Sequence, residues 1–349
     1  MKTLYKIFIL LFFPIITFGN YIDETFVKEK VISKTYVTNS DAQAEINNRF
    51  GSITVVLWNE NKISVDVNIK VTGSNEKNVL RKFESINVDF SNSSSNVSAK
   101  TTFDNDGDSN SYESINIEIN YLVKIPKNGS IDLNNKYGNI TVAELNGQSK
   151  INLKYGSMNL GQFKNKSNTF EMGYATNSSI DFIDDLSLDC KYSKLSIDKN
   201  YNILIKGNYN DFVFQNVGIV KFEGNYTKIK SNTIVQFNCD GNYLTLKLGD
   251  VIQTDINSNY TDVNLSANGK TKKISIDGNY TNTKINCSTD FAFDFEIAIN
   301  YGSLNSSFDL NYSEKSEKGN SKYYVGNRNL SGKSRIKINS NYGSVKFLE

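Results

Sequence analysis

The sequence predicts an all-β protein: a right-handed parallel β-solenoid (β-helix) with 17–21-residue coils, preceded by a β-rich N-terminal cap region. Three observations lead there. Aromatic residues recur at nearly fixed spacing, apolar residues around them alternate with period two, and the composition favours tight corners. The chain has 50 Asn, 22 Gly and only 2 Pro in 349 residues. Asn and Gly tolerate turns and left-handed backbone, so many short strands joined by sharp corners are expected.

The spacing comes first. Phe50 is followed by Tyr137, Tyr155, Tyr174, Tyr192, Tyr209, Tyr226, Tyr243, Tyr260, Tyr280, Tyr301 and Tyr342 in equivalent settings, which uses 11 of the 20 Tyr. From Tyr137 to Tyr301 the intervals run from 17 to 21 residues, and the last interval is 41. That gap is about two periods, with Tyr323–Tyr324 read as a worn copy near its middle. Asn precedes Tyr at Asn208, Asn225, Asn242, Asn259, Asn279, Asn300 and Asn341. Such a period is the signature of a repeat architecture.

Each repeat reads as strand, Asn-Tyr corner, strand and turn. Pairs such as Ile203/Ile205, Phe212/Phe214 and Ile274/Ile276 place one face of each arm inward. Seventeen to 21 residues are too few for a strand-helix-strand unit. Flat coils stacked at about 4.8 Å would form a rod on the order of 55 Å long. The right hand is the usual hand of parallel crossovers. Small residues two before Tyr (Gly207, Gly224, Gly241, Ser258, Gly278, Ser340) suggest a ring turning inward, with a bend just after it. The Asn side chains are expected to hydrogen-bond from coil to coil.

Three segments divide the chain. Residues 1–19 read as a secretory signal peptide: Lys2 and Lys6, a 12-residue apolar run from Ile7 to Phe18, then Thr17 and Gly19 before the cut. Residues 20–130 read as the β-rich cap, and 131–349 as the repeats. Within the cap, "NEKNVLRKFESI" is helix-like, with Ser74 as its cap and Leu80 and Phe83 turned inward. "SINIEINYLVKIP" alternates from Ile115 to Ile125 as a long strand. "EKSEKGNSKYY" reads as an exposed loop between coils, and the closing "SVKFLE" as an uncapped edge, which suggests end-to-end self-association.

Composition excludes much chemistry. There is no His, so His-dependent triads and His-containing zinc sites are ruled out. Net charge is +2, all of it contributed by Lys2 and Lys6 if the leader is removed. Nothing points to nucleic acid, and no stretch of the mature chain suits a transmembrane helix. Cys190, Cys239 and Cys287 read as buried hydrophobes, with a Cys190–Cys239 bridge left open. Asp104, Asp106 and Asp108 alternate like a calcium loop, but Gly107 and Glu113 fall at the wrong positions. They are a weak metal candidate; no catalytic residue and no cofactor is expected.

The segments "NRFGSITV", "VKIPKNGSIDLNNKYGNITVAELNG" and "INLKYGSMNL" resemble the exported bacterial β-strand-repeat proteins of unknown function, adhesin-like and of the autotransporter-adhesin-head type. The resemblance spans about residues 45–349. It implies a right-handed β-helix in the periplasm or on the outer surface of a Gram-negative bacterium, and carries no catalytic residues. The middle repeats depart from it, with Asn-Tyr-Asn/Thr/Leu in place of Tyr-Gly.

The leading expectation is a non-enzymatic envelope scaffold whose partner is an envelope protein or a glycan. A carbohydrate-binding module using the Tyr stripe or Trp58 is the alternative. A polysaccharide lyase or hydrolase comes third, because neighbours such as Asp184 and Asp185 point to opposite faces of a strand.

Overall fold

The computed structural model describes residues 25–104, 115–329, 332 and 334–349. The expected leader at 1–19, and Asp106 and Asp108, lie outside them. The described residues form 26 strands and one helix, and every strand joins one hydrogen-bonded network that is mostly parallel.

Two ladders run through it. In one, Gln43–Arg49, Ser130–Lys136, Ser149–Lys154 and Asn168–Gly173 pair in parallel and in register. In the other, Ile140–Leu145, Met158–Phe163 and the first half of Ser178–Lys191 do the same. The ladders merge in the middle. Lys194–Asn208, Asp211–Asn225, Lys228–Asn242 and Thr245–Asn259 are 15-residue strands, each paired with the next at a 17-residue offset. The expected turn between the two arms is therefore absent from these repeats.

Burial explains the 17. From Gly207 the inward positions are Asn210, Phe212, Phe214, Val217, Val220, Phe222 and then Gly224. Four steps of two residues are strand; three steps of three are bends. The pattern repeats from Gly224 to Gly241 and from Gly241 to Ser258. With no residue to spare, two of the bends are made within a continuous strand, and the third falls at the Tyr, between one strand and the next. The 20-residue interval that follows spends its extra residues in the turn Asn268–Thr271, where Thr271 N donates to Asn268 O. The apolar inward columns are almost fully covered; for instance, Leu188, Ile205, Phe222, Cys239 and Ile256 are at most 5% exposed. Each large side chain so buried contributes roughly 1.5–3 kcal/mol.

Several inward positions are polar: Ser231 and Thr254 have hydroxyls with no hydrogen-bond partner among the described residues, and Asn200 leaves a whole amide unpaired. Asn200 stands between Ile183 and Val217 in register, is 5% exposed, and neither amide atom has a hydrogen-bond partner among the described residues.

Antiparallel strands lie at both ends. Near the N-terminus, Asn116–Pro126 runs parallel to Ile53–Trp58 but antiparallel to Lys62–Gly73, which pairs in turn with Phe26–Val37. The helix Glu76–Glu84 packs here. Asn75, not Ser74, is its cap, accepting from Asn78 N. Val79 is the side chain it buries; Phe83 is partly covered and Leu80 is 40% exposed. The cap fell one residue later than expected because the first helical N–H groups are reached from Asn75.

The C-terminus departs most from expectation. Arg335–Asn341 inserts in parallel between Lys273–Asn279 and Phe293–Asn300. Val345–Leu348 likewise lies between Asn282–Cys287 and Leu304–Ser306, so it is no free edge and the premise for end-to-end pairing there falls. Tyr323–Tyr324 is no worn repeat, and 314–324 is no loop. Asn311–Lys318 and Ser321–Arg328 form an antiparallel hairpin, and Ser321–Arg328 covers Phe293–Asn300. Glu296 ties the insertion in place, with carboxylate oxygens 2.9 Å from Lys337 Nζ and 3.0 Å from Arg335 Nη2. Lys337 first, then Arg335, hold its carboxyl below the usual range.

Candidate functional site

The bend at each Tyr is made by the Tyr itself. Phe50 and all eleven column Tyr have positive φ, between 52° and 68°. Left-handed backbone at a bulky residue is costly, roughly 1–3 kcal/mol, and survives only where the surroundings over-determine it. This conformation throws the ring outward, so the expectation of an inward Tyr, with the bend after it, is corrected. The column Tyr are 41–58% exposed.

The rings form one file. Tyr209–Tyr226 and Tyr226–Tyr243 have centroids 4.8 and 4.7 Å apart with planes within 2°. The file starts at Phe50–Tyr137, 5.4 Å apart, and continues ring by ring to Tyr260–Tyr280. Tyr342 comes next and Tyr301 last. The spacing matches the distance between paired strands, because each ring stands on the same position of successive strands. Phe103 meets Phe50 edge-on at the lower end, and Arg49 lies 4.5 Å from the Phe50 ring.

The small residue before Tyr has a different cause from the one expected. Positions two before and one after Tyr share one inward corner. A Cβ on Gly207 would lie 2.8 Å from Asn210 Nδ2, one on Gly278 2.7 Å from Thr281 Oγ1, and one on Gly302 2.7 Å from Ile299 Cγ2. The same Cβ atoms would also strike the neighbouring strand's backbone: Cys190 O at 2.0 Å for Gly207. The corner therefore holds one large side chain or two small ones, as where Ser258 and Thr261 meet hydroxyl to hydroxyl at 2.6 Å. Asn135, Leu153 and Ile299 fill it from before Tyr and are followed by Gly138, Gly156 and Gly302. Asn210, Thr227 and Leu244 fill it from behind, with Gly207, Gly224 and Gly241 in front. The change from Tyr-Gly to Gly-Asn-Tyr along the chain is one small residue moved across the same corner.

Beside the rings runs a second column. Asn225 Nδ2 donates to Asn208 Oδ1 at 3.2 Å, and the pattern continues through Asn242, Asn259 and Asn279. It then passes to Asn341 and ends at Asn300. In the earlier repeats the same column holds Arg49, Lys136, Lys154, Gly173 and Lys191 in register. A depression of about 440 Å³ follows these repeats, lined by Lys136, Lys154 and Lys191 and by Tyr155, Tyr174 and Tyr192, with Glu171 and Asp189 on its far side.

The remaining candidates are plain. Trp58 is half-buried, its Nε1 donating to Lys62 O at 2.7 Å. Asp104 accepts from Asn87 Nδ2. Asp185 accepts from Asn202 Nδ2 at 2.6 Å. Among the described residues no cluster of three His, Cys, Asp or Glu is poised for a metal, and no helix is long and apolar enough to cross a membrane. The three cysteines are free and buried. Cys190 and Cys239 sit in different columns about three strand spacings apart, beyond disulfide reach. Burial pushes the thiols of Cys190 and Cys287 up to about 12, and that of Cys239 up as well.

No family model matches this chain, and no curated protein matches it in sequence. Solved structures do resemble it. One is a "putative cell adhesion protein" from Clostridium sporogenes, at 10% identity, covering 92% of this chain and 99% of that one, with a TM-score of 0.21. A "putative adhesin" from Parabacteroides distasonis is 10% identical over 91% and 97% of the two chains, with a TM-score of 0.31. A "putative lipid binding protein" from the same species is 9% identical over 93% and 97%, with a TM-score of 0.33. The adhesins among them carry the class of name that the sequence resemblance suggests.

Proposed function

We propose that this chain is a non-enzymatic, exported β-solenoid of right-handed coils, an adhesin-like scaffold of the Gram-negative envelope. The domain division at about residue 130 belongs to this reading, with antiparallel strands serving as the lower cap. The observation that carries it is the unbroken file of twelve aromatic rings, Phe50 to Tyr301. Such a file needs repeats rigidly in register, and it supplies a long, regular contact face in place of a cleft. Protease treatment of intact cells tests the address. Cleavage of the chain without lysis supports display at the surface; protection until the outer membrane is opened supports the periplasm; recovery with the cytoplasm would overturn export.

The alternative, sugar rings stacking on the Tyr column, meets a geometric obstacle. Each interior ring has a neighbour on both faces, so only edges and hydroxyls are presented. Tyr301, at the end of the file and 58% exposed, is the one column Tyr with a single stacked neighbour. Contacts to a glycan along the file must therefore be hydrogen bonds and ion pairs.

A further inference from the structure

We propose that the first repeats bind an acidic polysaccharide along the column Lys136, Lys154 and Lys191; this rests on the contact-scaffold reading above. The column is divided in two. From Asn208 onward its amides satisfy one another. Before that, ammonium groups stand in register: Lys136 opposite Lys154, and Lys191 one strand further on, beyond Gly173. Like charges directly opposite each other on neighbouring strands are destabilising. Other lysines on the strands are tied to carboxylates from repeat to repeat, as Lys150 is to Asp132 and Lys273 to Asp255. Lys136, Lys154 and Lys191 make no such ion pair among the described residues. Along these repeats the position two after Tyr adds Ser52, Asn139, Ser157, Thr176 and Lys194, with no carboxylate.

The chemistry of this strip selects its occupant. Ammonium groups at multiples of the strand spacing suit a linear chain with a regularly repeated anion. Phenol, hydroxyl and amide groups beside them suit a chain that also carries many hydroxyls. Uronate polymers have both. Nucleic acid shares the anion, but its bases need open aromatic faces, which the stacked rings deny. Glu171 and Asp189 line the far side and confine the anion to the lysine strip. Gly173, whose added Cβ would find only Lys154 Cγ at 3.7 Å, leaves a gap in the column where a ligand group can approach the backbone.

The test uses the purified full chain and immobilised polygalacturonate, with neutral dextran and single-stranded DNA alongside. Binding to polygalacturonate that weakens steadily with salt is expected, with none to dextran. The triple variant Lys136→Gln, Lys154→Gln, Lys191→Gln should bind at least tenfold more weakly with a shallower salt dependence. A matched triple, Lys230→Gln, Lys247→Gln, Lys284→Gln, removes the same charge four residues after Tyr and should bind as the parent does. Unchanged circular dichroism of both variants shows that the fold is kept. Equal loss in both variants, no binding by the parent, or tighter binding to DNA overturns the proposal. Export is read separately by the protease experiment, so binding by a chain found inside cells would sink the envelope reading and leave this one standing.

Discussion

Tyr280 stacks on Tyr342, 4.8 Å away and within 9° of parallel, although Tyr301 is the next repeat in the chain. The strand Arg335–Asn341 has entered the ladder ahead of Phe293–Asn300, which precedes it in the chain. Ile338 lies within it, 0% exposed and in register with Ile276 on one side and Ile297 on the other. Ile338→Ala should cost about 2–5 kcal/mol, read from the urea midpoint. A loss well under 1 kcal/mol would mean the insertion is not tightly packed.

Tyr226 tests the ring file. Its hydroxyl has no hydrogen-bond partner among the described residues, so Tyr226→Phe should leave stability unchanged. Tyr226→Ala loses two stacked neighbours, about 0.5–1.5 kcal/mol each, and keeps the left-handed backbone at φ 54°. Tyr226→Gly relieves that backbone. Glycine should therefore destabilise less than alanine in thermal or chemical unfolding, the reverse of the order at an ordinary strand position.

The close approach of the neighbouring strand's backbone predicts that Gly241→Ala is poorly tolerated. Its Cβ would lie 1.8 Å from Gly224 O, so the strand must shift. A loss of about 1–3 kcal/mol is expected. Leu244→Gly in the same chain should not restore it, since the closest clash is with backbone. Full rescue in the double variant would show that the side chain sets the limit.

Asn200 should be improvable. Two unpaired buried amide atoms cost about 1–3 kcal/mol each when nothing satisfies them. Asn200→Val matches its neighbours Ile183 and Val217 and should raise the melting temperature. A lower melting temperature would show that the amide is satisfied in solution.

The thiols define an alkaline window. Burial raises Cys190 and Cys287 from 9.0 to about 12, so the folded chain holds protons that the unfolded chain releases. Their contribution is complete below pH 9 and declines as pH rises toward 12. A thiol reagent at pH 8 should label no cysteine until denaturant is added. Prompt labelling of the native chain would contradict the burial.

Much of this was legible in the residues. The period, the inward columns around Ile205 and Phe222, and the Asn file from Asn208 onward all follow from side chains repeated at fixed offsets. The outward Tyr was not, because alternation tells which residues share a face only while the backbone stays extended. A left-handed residue at each corner breaks that parity, and a tyrosine is an unexpected place for one. The corner exchange between Gly207–Asn210 and Leu153–Gly156 needed coordinates showing that both positions point into one space.

The sequence by itself determined that like residues lie over like residues, since only a repeating chain can place an aromatic ring every seventeen or so positions. The tertiary structure alone decided the order of the final strands and which side of the corner faces water. Neither has a local signature. A strand pairs equally well with any neighbour of matching register, so the position of Arg335–Asn341 between Lys273–Asn279 and Phe293–Asn300 is settled by where the whole stack leaves its edges open.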